Sequence, residues 1–460
     1  MTWRVVHLDL SREAPPVDPA EGHAFIVFWW GSLPLGAEAF VPEELPLSQD
    51  QILTLAGRFA AKQLAARGPS LGGVPEAGRD GRVELEPTLA DIRACRGASA
   101  VLDALAADPQ TPADDVSVIV CTRGRPKLLR SCLAALDAQR APPGEIIVVD
   151  NSESGDAQVV SAHFRRVRHL HEKRPGLSVA RNTGVAAATR PIIAFTDDDV
   201  EVDPGWTGQV ARAFASAPEA DAITGLVLPA SLSTPAQRFY ELQLGGFGTG
   251  YVPVRFGSRF RSEGLNHGLQ VWRLGAGANM AFRRETFMRV GLFDERLGAG
   301  AAGCSEDSEL WYRILADGGS CLYEPRAVVH HHHRPDWGGL EEQMQAYMRG
   351  HVAALGAQYL RYRHRGNLRR IGLQLPQYFL RVALRALRDG SSDHMRLLLP
   401  QVRGWWGGLT LVLRPGWRRS HAVPQLSDHG DPLVRRSSQS RSPVRRPVTT
   451  SLGERSEQSA

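Results

Sequence analysis

Cysteine is scarce in this 460-residue chain: there are five, Cys95, Cys121, Cys132, Cys304 and Cys321, an odd number with no CxxC spacing. That argues against a disulfide framework and for a reduced, cytoplasmic compartment. Long apolar runs are missing as well. No stretch of 18 uncharged apolar residues occurs, so no segment is expected to span a bilayer. Met1-Thr2-Trp3-Arg4 lacks the apolar core of a secretory leader. Acids nearly vanish between Leu355 and Gln425, where thirteen arginines face only Asp389 and Asp393. Such a local excess calls for an anionic partner, whether phosphate, membrane or nucleic acid. The remaining composition is that of a globular protein, and the length exceeds what one core supports.

Four regions follow from the patterning. Residues 1–110 read as a small α+β accessory domain of unknown role. Val5–Leu10 and Ala24–Trp30 are expected strands, Gly31–Gly36 a turn, and a helix capped by Ser48 runs to about Ala66. Residues 111–352 alternate apolar runs with helical patterns, as an α/β sheet requires. Residues 353–425 are a helical, Arg-rich extension. From about Leu426 to 460, Ser, Arg, Pro and Gln dominate and a disordered tail is expected.

The most informative stretch is Ile192-Ile193-Ala194-Phe195-Thr196 followed by Asp197-Asp198-Asp199. A short apolar run bounded by a turn reads as a buried strand. Three adjacent carboxylates at its end repel one another, which makes sense where a divalent cation binds. The carboxyl ends of parallel strands are also where open α/β sheets hold ligands. The alternative is a solvated acidic turn. Two earlier strands end on Thr122-Arg123 and Asp150-Asn151-Ser152, where an aspartate could accept the ring N–H of a base. Arg181 precedes the aspartates and could reach a diphosphate or order the acids. Glu306-Asp307 open a helix behind Ser305, read as its cap, and Asp307 is a candidate general base. Gly275–Met280 supply small residues where the backbone could closely approach a ligand. Finally, His330 to His333 follow a strand-like run and precede Arg334; in an extended segment His331 and His333 share one face. They could add a nitrogen ligand or contact a diphosphate.

Together, Cys121–Pro126, Val148–Ser152, Gly176–Gly184, Phe195–Asp199, Gly277–Arg284, Glu306-Asp307 and His331–Arg334 resemble the family 2 glycosyltransferases over roughly residues 115–350. The resemblance implies a GT-A fold, a mixed sheet with helices on both faces. It also implies inverting transfer of a sugar from a nucleotide-diphosphate donor. On that likeness Thr122, Arg123, Asp150, Arg181 and Asp198 bind the donor. Asp197 and Asp199 bound the DxD motif and, with His331, hold Mg²⁺ or Mn²⁺. Asp307 is the catalytic base, and Glu306, His333 and Arg334 contact acceptor or diphosphate.

In the basic segment, Leu373–Leu387 carries apolar residues at helical spacing, interrupted by Pro376 and flanked by Arg369, Arg370, Arg381, Arg385 and Arg388. With Trp405 and Trp406 nearby, it reads either as a helix on an anionic membrane surface or as one packed on the catalytic domain. Nucleic acid is not expected as a partner, because no reading motif is present. The expected enzyme builds a cell-envelope glycan or glycolipid at the cytoplasmic membrane face, on a glycan or lipid-linked acceptor. The competing readings are a nucleotide-sugar-binding scaffold and a sugar-phosphate nucleotidyltransferase; the second needs a longer phosphate loop than Arg123-Gly124-Arg125-Pro126.

Overall fold

A computed structural model describes residues 3–12, 17, 22–67, 74–79, 98–107, 111–419 and 423–426. The expected tail beyond 426 lies outside the described residues. Twelve strands form two sheets among them: β1 (Trp3–Asp9), β2 (His23–Trp30), β3 (Leu33–Phe40), β4 (Ala113–Thr122), β5 (Pro143–Asp150), β6 (Val167–His171), β7 (Ile192–Asp197), β8 (Val200–Val202), β9 (Ala222–Pro229), β10 (Val254–Phe256), β11 (Asn279–Arg283) and β12 (Cys321–His331).

The large sheet runs β10-β12-β9-β11-β7-β4-β5-β6, with β8 paired to β12. Strands β7, β4, β5 and β6 are parallel. On its other side β7 pairs antiparallel with β11, so the strand expected inside a parallel sheet sits where the sheet turns mixed. Alternation along the strands builds two cores. Val116, Val118 and Val120 face Leu129, Leu133 and Leu136 of the helix Pro126–Asp137, together with Trp206, Val210 and Phe214. Ile119, Ile147, Ile193 and Phe195 face Ala180, Val185, Phe282, Phe287 and Trp311 on the other side. Helices therefore cover both faces, the mixed GT-A arrangement expected. Burying each such Val, Leu or Phe contributes about 1.5–3 kcal/mol.

Residues Leu33–Phe40, whose start was expected to be a turn, form the third strand of the N-terminal sheet. The turn is only Gly31-Ser32, with Gly31 at φ +56°. Gly36 sits in mid-strand because the Phe59 ring lies where its Cβ would be, 2.5 Å away. The expected helix forms as Gln49–Arg67, and the Ser48 hydroxyl accepts from Gln51 N–H. The inner face of this sheet packs Phe25, Val27 and Trp29 on Leu226, Leu228 and Val328 of the large sheet.

A long helix, Trp337–Tyr362, leads from the large sheet into the C-terminal helices. It packs closely on the helix Ser392–Leu413, and the contact is possible because Gly404 and Gly408 carry no side chain. A Cβ at Gly404 would lie 2.3 Å from the Gln345 carbonyl oxygen. Pro376 does not interrupt its helix. The helical run continues from Arg365 to Asp389 and passes through a π-helical turn, Arg370–Gln374, just before Pro376, so the proline changes the helix type locally without ending it. No helix among the described residues is long and apolar enough to cross a membrane.

Candidate active site

Register brings the polar strand ends together. Thr122 pairs with Asp150 across β4–β5, and Cys121 with Asp197 across β4–β7. Asp198 and Asp199 form the turn from β7 to β8. Pairing of β8 with β12 sets Val200 opposite His331, and His332 N–H donates to the Asp199 carbonyl (2.9 Å). The histidine run, 130 residues on, thus lands beside the third aspartate.

Two arginines counter the acids. Arg125, overlooked in the sequence, donates from one Nη to Asp198 Oδ1 (3.0 Å) and Asp199 Oδ2 (2.8 Å). Arg181 is fully buried and bridges Asp197 Oδ1 (3.2 Å) and Glu306 Oε1 (2.6 Å). Of its two expected roles, the geometry has it ordering the acids. Gly277 closes the group: a Cβ there would meet Asp307 Oδ2 at 3.0 Å and Arg181 Nη2 at 3.1 Å. The small residues around 277 therefore admit protein groups, bringing the 306–307 pair against the β7 terminus.

Asp198 is buried and also accepts from the Thr122 hydroxyl (2.8 Å). Burial, opposed by Arg125, raises its carboxyl to about 6. Burial likewise raises Glu306 to about 7 against the pull of Arg181. Asp197 keeps 29% of its side chain exposed; scarce water around it, opposed by Arg181, shifts it upward. Asp150 Oδ1 is taken by Ser152, through its N–H (2.9 Å) and hydroxyl (2.6 Å), the turn chemistry of a strand terminator. Arg123 is exposed, and Arg334 Nη1 stands 4.0 Å from Asp199 Oδ2. Asp307 accepts from the Ser308 N–H. Ser305 is not the side-chain cap expected for this helix. Its φ of +68° turns the hydroxyl away, to 3.1 Å from the Cys304 sulfur.

The histidines form a directed chain. His333 Nε2 lies 3.0 Å from Glu241 Oε2, and His333 Nδ1 lies 3.0 Å from His331 Nδ1. With Glu241 accepting, His333 must accept from His331 Nδ1–H, which leaves the His331 Nε2 lone pair free. Burial lowers His331 to about 4, so the ring is neutral. Its Nε2 stands 3.6 Å from Asp199 Oδ1, too far for a hydrogen bond. Two lone-pair donors thus face a common space, and Asp199 and His331 fit a divalent cation. Among the described residues no three His, Cys, Asp or Glu side chains are already gathered about one point. Asp197 is held by Arg181 and the second Asp199 oxygen by Arg125.

A cavity of about 550 Å³ bounded by Thr111, Asp114, Arg140 and Arg190 lies at the opposite, amino ends of the strands. Ligands of open α/β sheets bind at the carboxyl ends, so that cavity is not the donor site.

At the carboxyl ends of this mixed sheet the acidic strand ends thus meet a buried arginine and a remote Glu-Asp pair. Residues 117–291, over a third of the chain, match the profile described as Glycosyl transferase family 2. Among similar proteins is the pre-mycofactocin glycosyltransferase of Mycobacterium tuberculosis, 30% identical over 275 residues, covering 56% of this chain and 52% of that one. The glucosyl-dolichyl phosphate glucuronosyltransferase of Haloferax volcanii is 26% identical over 189 residues, covering 40% and 57%. The chain therefore spans about half the length of these curated relatives. A mannosyltransferase from Pyrobaculum calidifontis, solved with GDP-Man and Mn²⁺, superposes with a TM-score of 0.40 at 18% identity, over 64% of this chain and 88% of that one.

Proposed function

We propose that the protein is an inverting, metal-dependent glycosyltransferase using a nucleotide-diphosphate sugar. The supporting observation is the meeting of Asp197, Arg181, Glu306 and Asp307 at the carboxyl ends of the parallel strands. Neither a scaffold nor a nucleotidyltransferase has use for Asp307 there.

In this reading the base lies over Thr122 and Asp150, and Arg123 and Arg334 approach the diphosphate. Asp198, its oxygens taken by Thr122 and Arg125, shapes the turn rather than touching the ribose. Glu306 fixes Arg181 rather than meeting the acceptor. Mg²⁺ or Mn²⁺ on Asp199 and His331, with Asp197 beside them, would offset the charge developing on the diphosphate. Asp307 removes the proton from an acceptor hydroxyl. That oxygen bonds to the anomeric carbon from the face opposite the diphosphate, whose C–O bond breaks as the nucleoside diphosphate leaves with the electron pair. Base catalysis of this kind supplies about 10²–10⁴-fold. The acceptor is a cell-envelope glycan or a lipid-linked sugar, and the enzyme works at the cytoplasmic membrane face.

The test is a screen of nucleotide sugars for Mn²⁺-dependent thermal stabilisation, followed by transfer assays. Asp199→Ala should abolish the metal-dependent stabilisation. Asp307→Asn should keep it while transfer falls at least about a hundredfold. Metal-independent stabilisation surviving Asp199→Ala, or undiminished transfer by Asp307→Asn, would remove this reading.

A further inference from the structure

We propose a second binding site, for the phosphate of an anionic membrane lipid, in the pocket between Trp272-Arg273 and the helix Leu375–Asp389, whose leucine edge inserts into the bilayer beside it. The pocket encloses about 490 Å³ and is lined by Trp272, Arg273, Arg370, Gln374, Tyr378 and Arg381.

Its charge is uncompensated. The two fully buried arginines have carboxylates, Arg181 with Glu306 and Arg313 with Glu309, and the part-buried Arg283 and Arg284 are held by main-chain carbonyls. Among the described residues no carboxylate pairs with Arg273, Arg370 or Arg381. Arg370 stacks over Trp272, 3.9 Å from the ring centre, and donates to His351 Nε2 (3.0 Å) and Gln374 Oε1 (3.3 Å), both neutral partners. Burial and the nearby Arg273 lower its guanidinium to about 10, which still leaves it charged at neutral pH. A cation kept in such surroundings without an acid fits an anionic ligand brought from outside.

The neighbouring surface names the source of that anion. Leu380, Leu384 and Leu387 are 59%, 57% and 70% exposed, and Leu373 lies one helical repeat before them on the same edge. The buried edge of the helix is a different one, carrying Leu375, Phe379 and Ala386. Arg381, Arg385 and Arg388 are each one residue beyond a leucine or its register position, and so form a parallel row alongside. Arg381 belongs to both the row and the pocket. The next helix exposes a row of its own at Met395, Leu399, Trp406 and Leu413. Leucines bordered by guanidinium groups match acyl chains bordered by phosphates, the complementarity of a helix lying in an anionic interface. Gly277 lies four positions after Arg273, so at most about 14 Å of chain joins this edge to the loop beside Asp307.

The full chain should be sedimented with vesicles of phosphatidylcholine alone, with added phosphatidate, and with added oleate at matched surface charge. Wild type should pellet on phosphatidate at least about tenfold better than on phosphatidylcholine alone, since each arginine at an anionic surface counts for several-fold, and better than on oleate at the same surface charge, since the paired oxygens of a phosphate suit the guanidinium forks of the pocket. Arg273→Gln with Arg370→Gln should erase that preference, and so should the exposed single change Arg381→Gln in part, which guards against a folding artefact. Leu380→Ser with Leu384→Ser and Leu387→Ser should abolish pelleting. Equal binding to oleate would show charge alone at work and overturn the site. Wild-type pelleting by both arginine variants would do the same. Stabilisation by inorganic phosphate without vesicle binding would assign the pocket to a free anion and overturn the lipid. The readout is binding alone, so its failure leaves the proposed reaction standing.

Discussion

Glu306 and Arg181 decide how the acids of this site behave with pH. Burial raises Glu306 to about 7, against an ordinary value of 4.5, despite the arginine beside it. Between those values the folded chain holds a proton that the unfolded chain has released, so this residue lowers stability as pH rises from about 4.5 to 7. Glu306→Gln mimics the protonated acid. Its melting temperature should therefore gain on wild type across that interval; a gap that stays constant or reverses would mean the Arg181 attraction outweighs desolvation. Glu241 acts at one remove, by fixing which nitrogen of His331 carries hydrogen. Glu241→Gln should weaken Mn²⁺ binding about 10–100-fold by calorimetry, and unchanged affinity would separate the relay from the metal. Three adjacent aspartates are legible in the sequence because their repulsion demands an explanation. Arg125 and Glu241 are not, since they meet their partners across 73 and 92 residues and carry no local pattern.

Elements followed their periodicity, and the departures have local causes. The strands β4, β5 and β7 are legible because apolar runs of this length ending on acids have few other uses. Gly36 was read as a turn residue since its actual constraint, the Phe59 ring, lies on another element. Ser305 has a capping residue's identity but a backbone of the wrong hand. Glycines at the C-terminal helix crossing are similar: spacing alone does not distinguish Gly404 and Gly408 from flexible joints. At Gly408 a Cβ would stand 2.6 Å from the Val352 Cβ and 2.8 Å from the Arg349 carbonyl oxygen, neither able to swing aside. Gly408→Val should therefore destabilise the chain by about 1–3 kcal/mol, the usual cost of overpacking. Denaturant titration would measure it, and a wild-type midpoint would show that the crossing relaxes freely.

At the scale of the whole molecule, the N-terminal sheet covers the outside of the strand that delivers His331. Phe25, Val27 and Trp29 pack on β9 and β12, and His7 sets its ring 5.2 Å from that of His330. Burial, reinforced by His330, lowers His7 to about 4, so this contact joins neutral rings at physiological pH. Without the sheet, Leu226, Leu228 and Val328 would face water while β12 still had to hold the histidines in register. Val27 has no exposed surface and sits at the centre of this contact. An aspartate in its place would be an unpaired charge between two apolar sheets, at a cost of at least about 3 kcal/mol unless the sheets part. Parting is the cheaper outcome, because β1–β3 retain their second core beneath the helix Gln49–Arg67. Val27→Asp should thus speed hydrogen exchange in β2 and in β9 and β12 while β4 and β5 stay protected. Mn²⁺ affinity should fall with it, as the strand bearing His331 loses its backing. Exchange confined to β2, with metal binding intact, would make the N-terminal sheet an attachment rather than a support for the site.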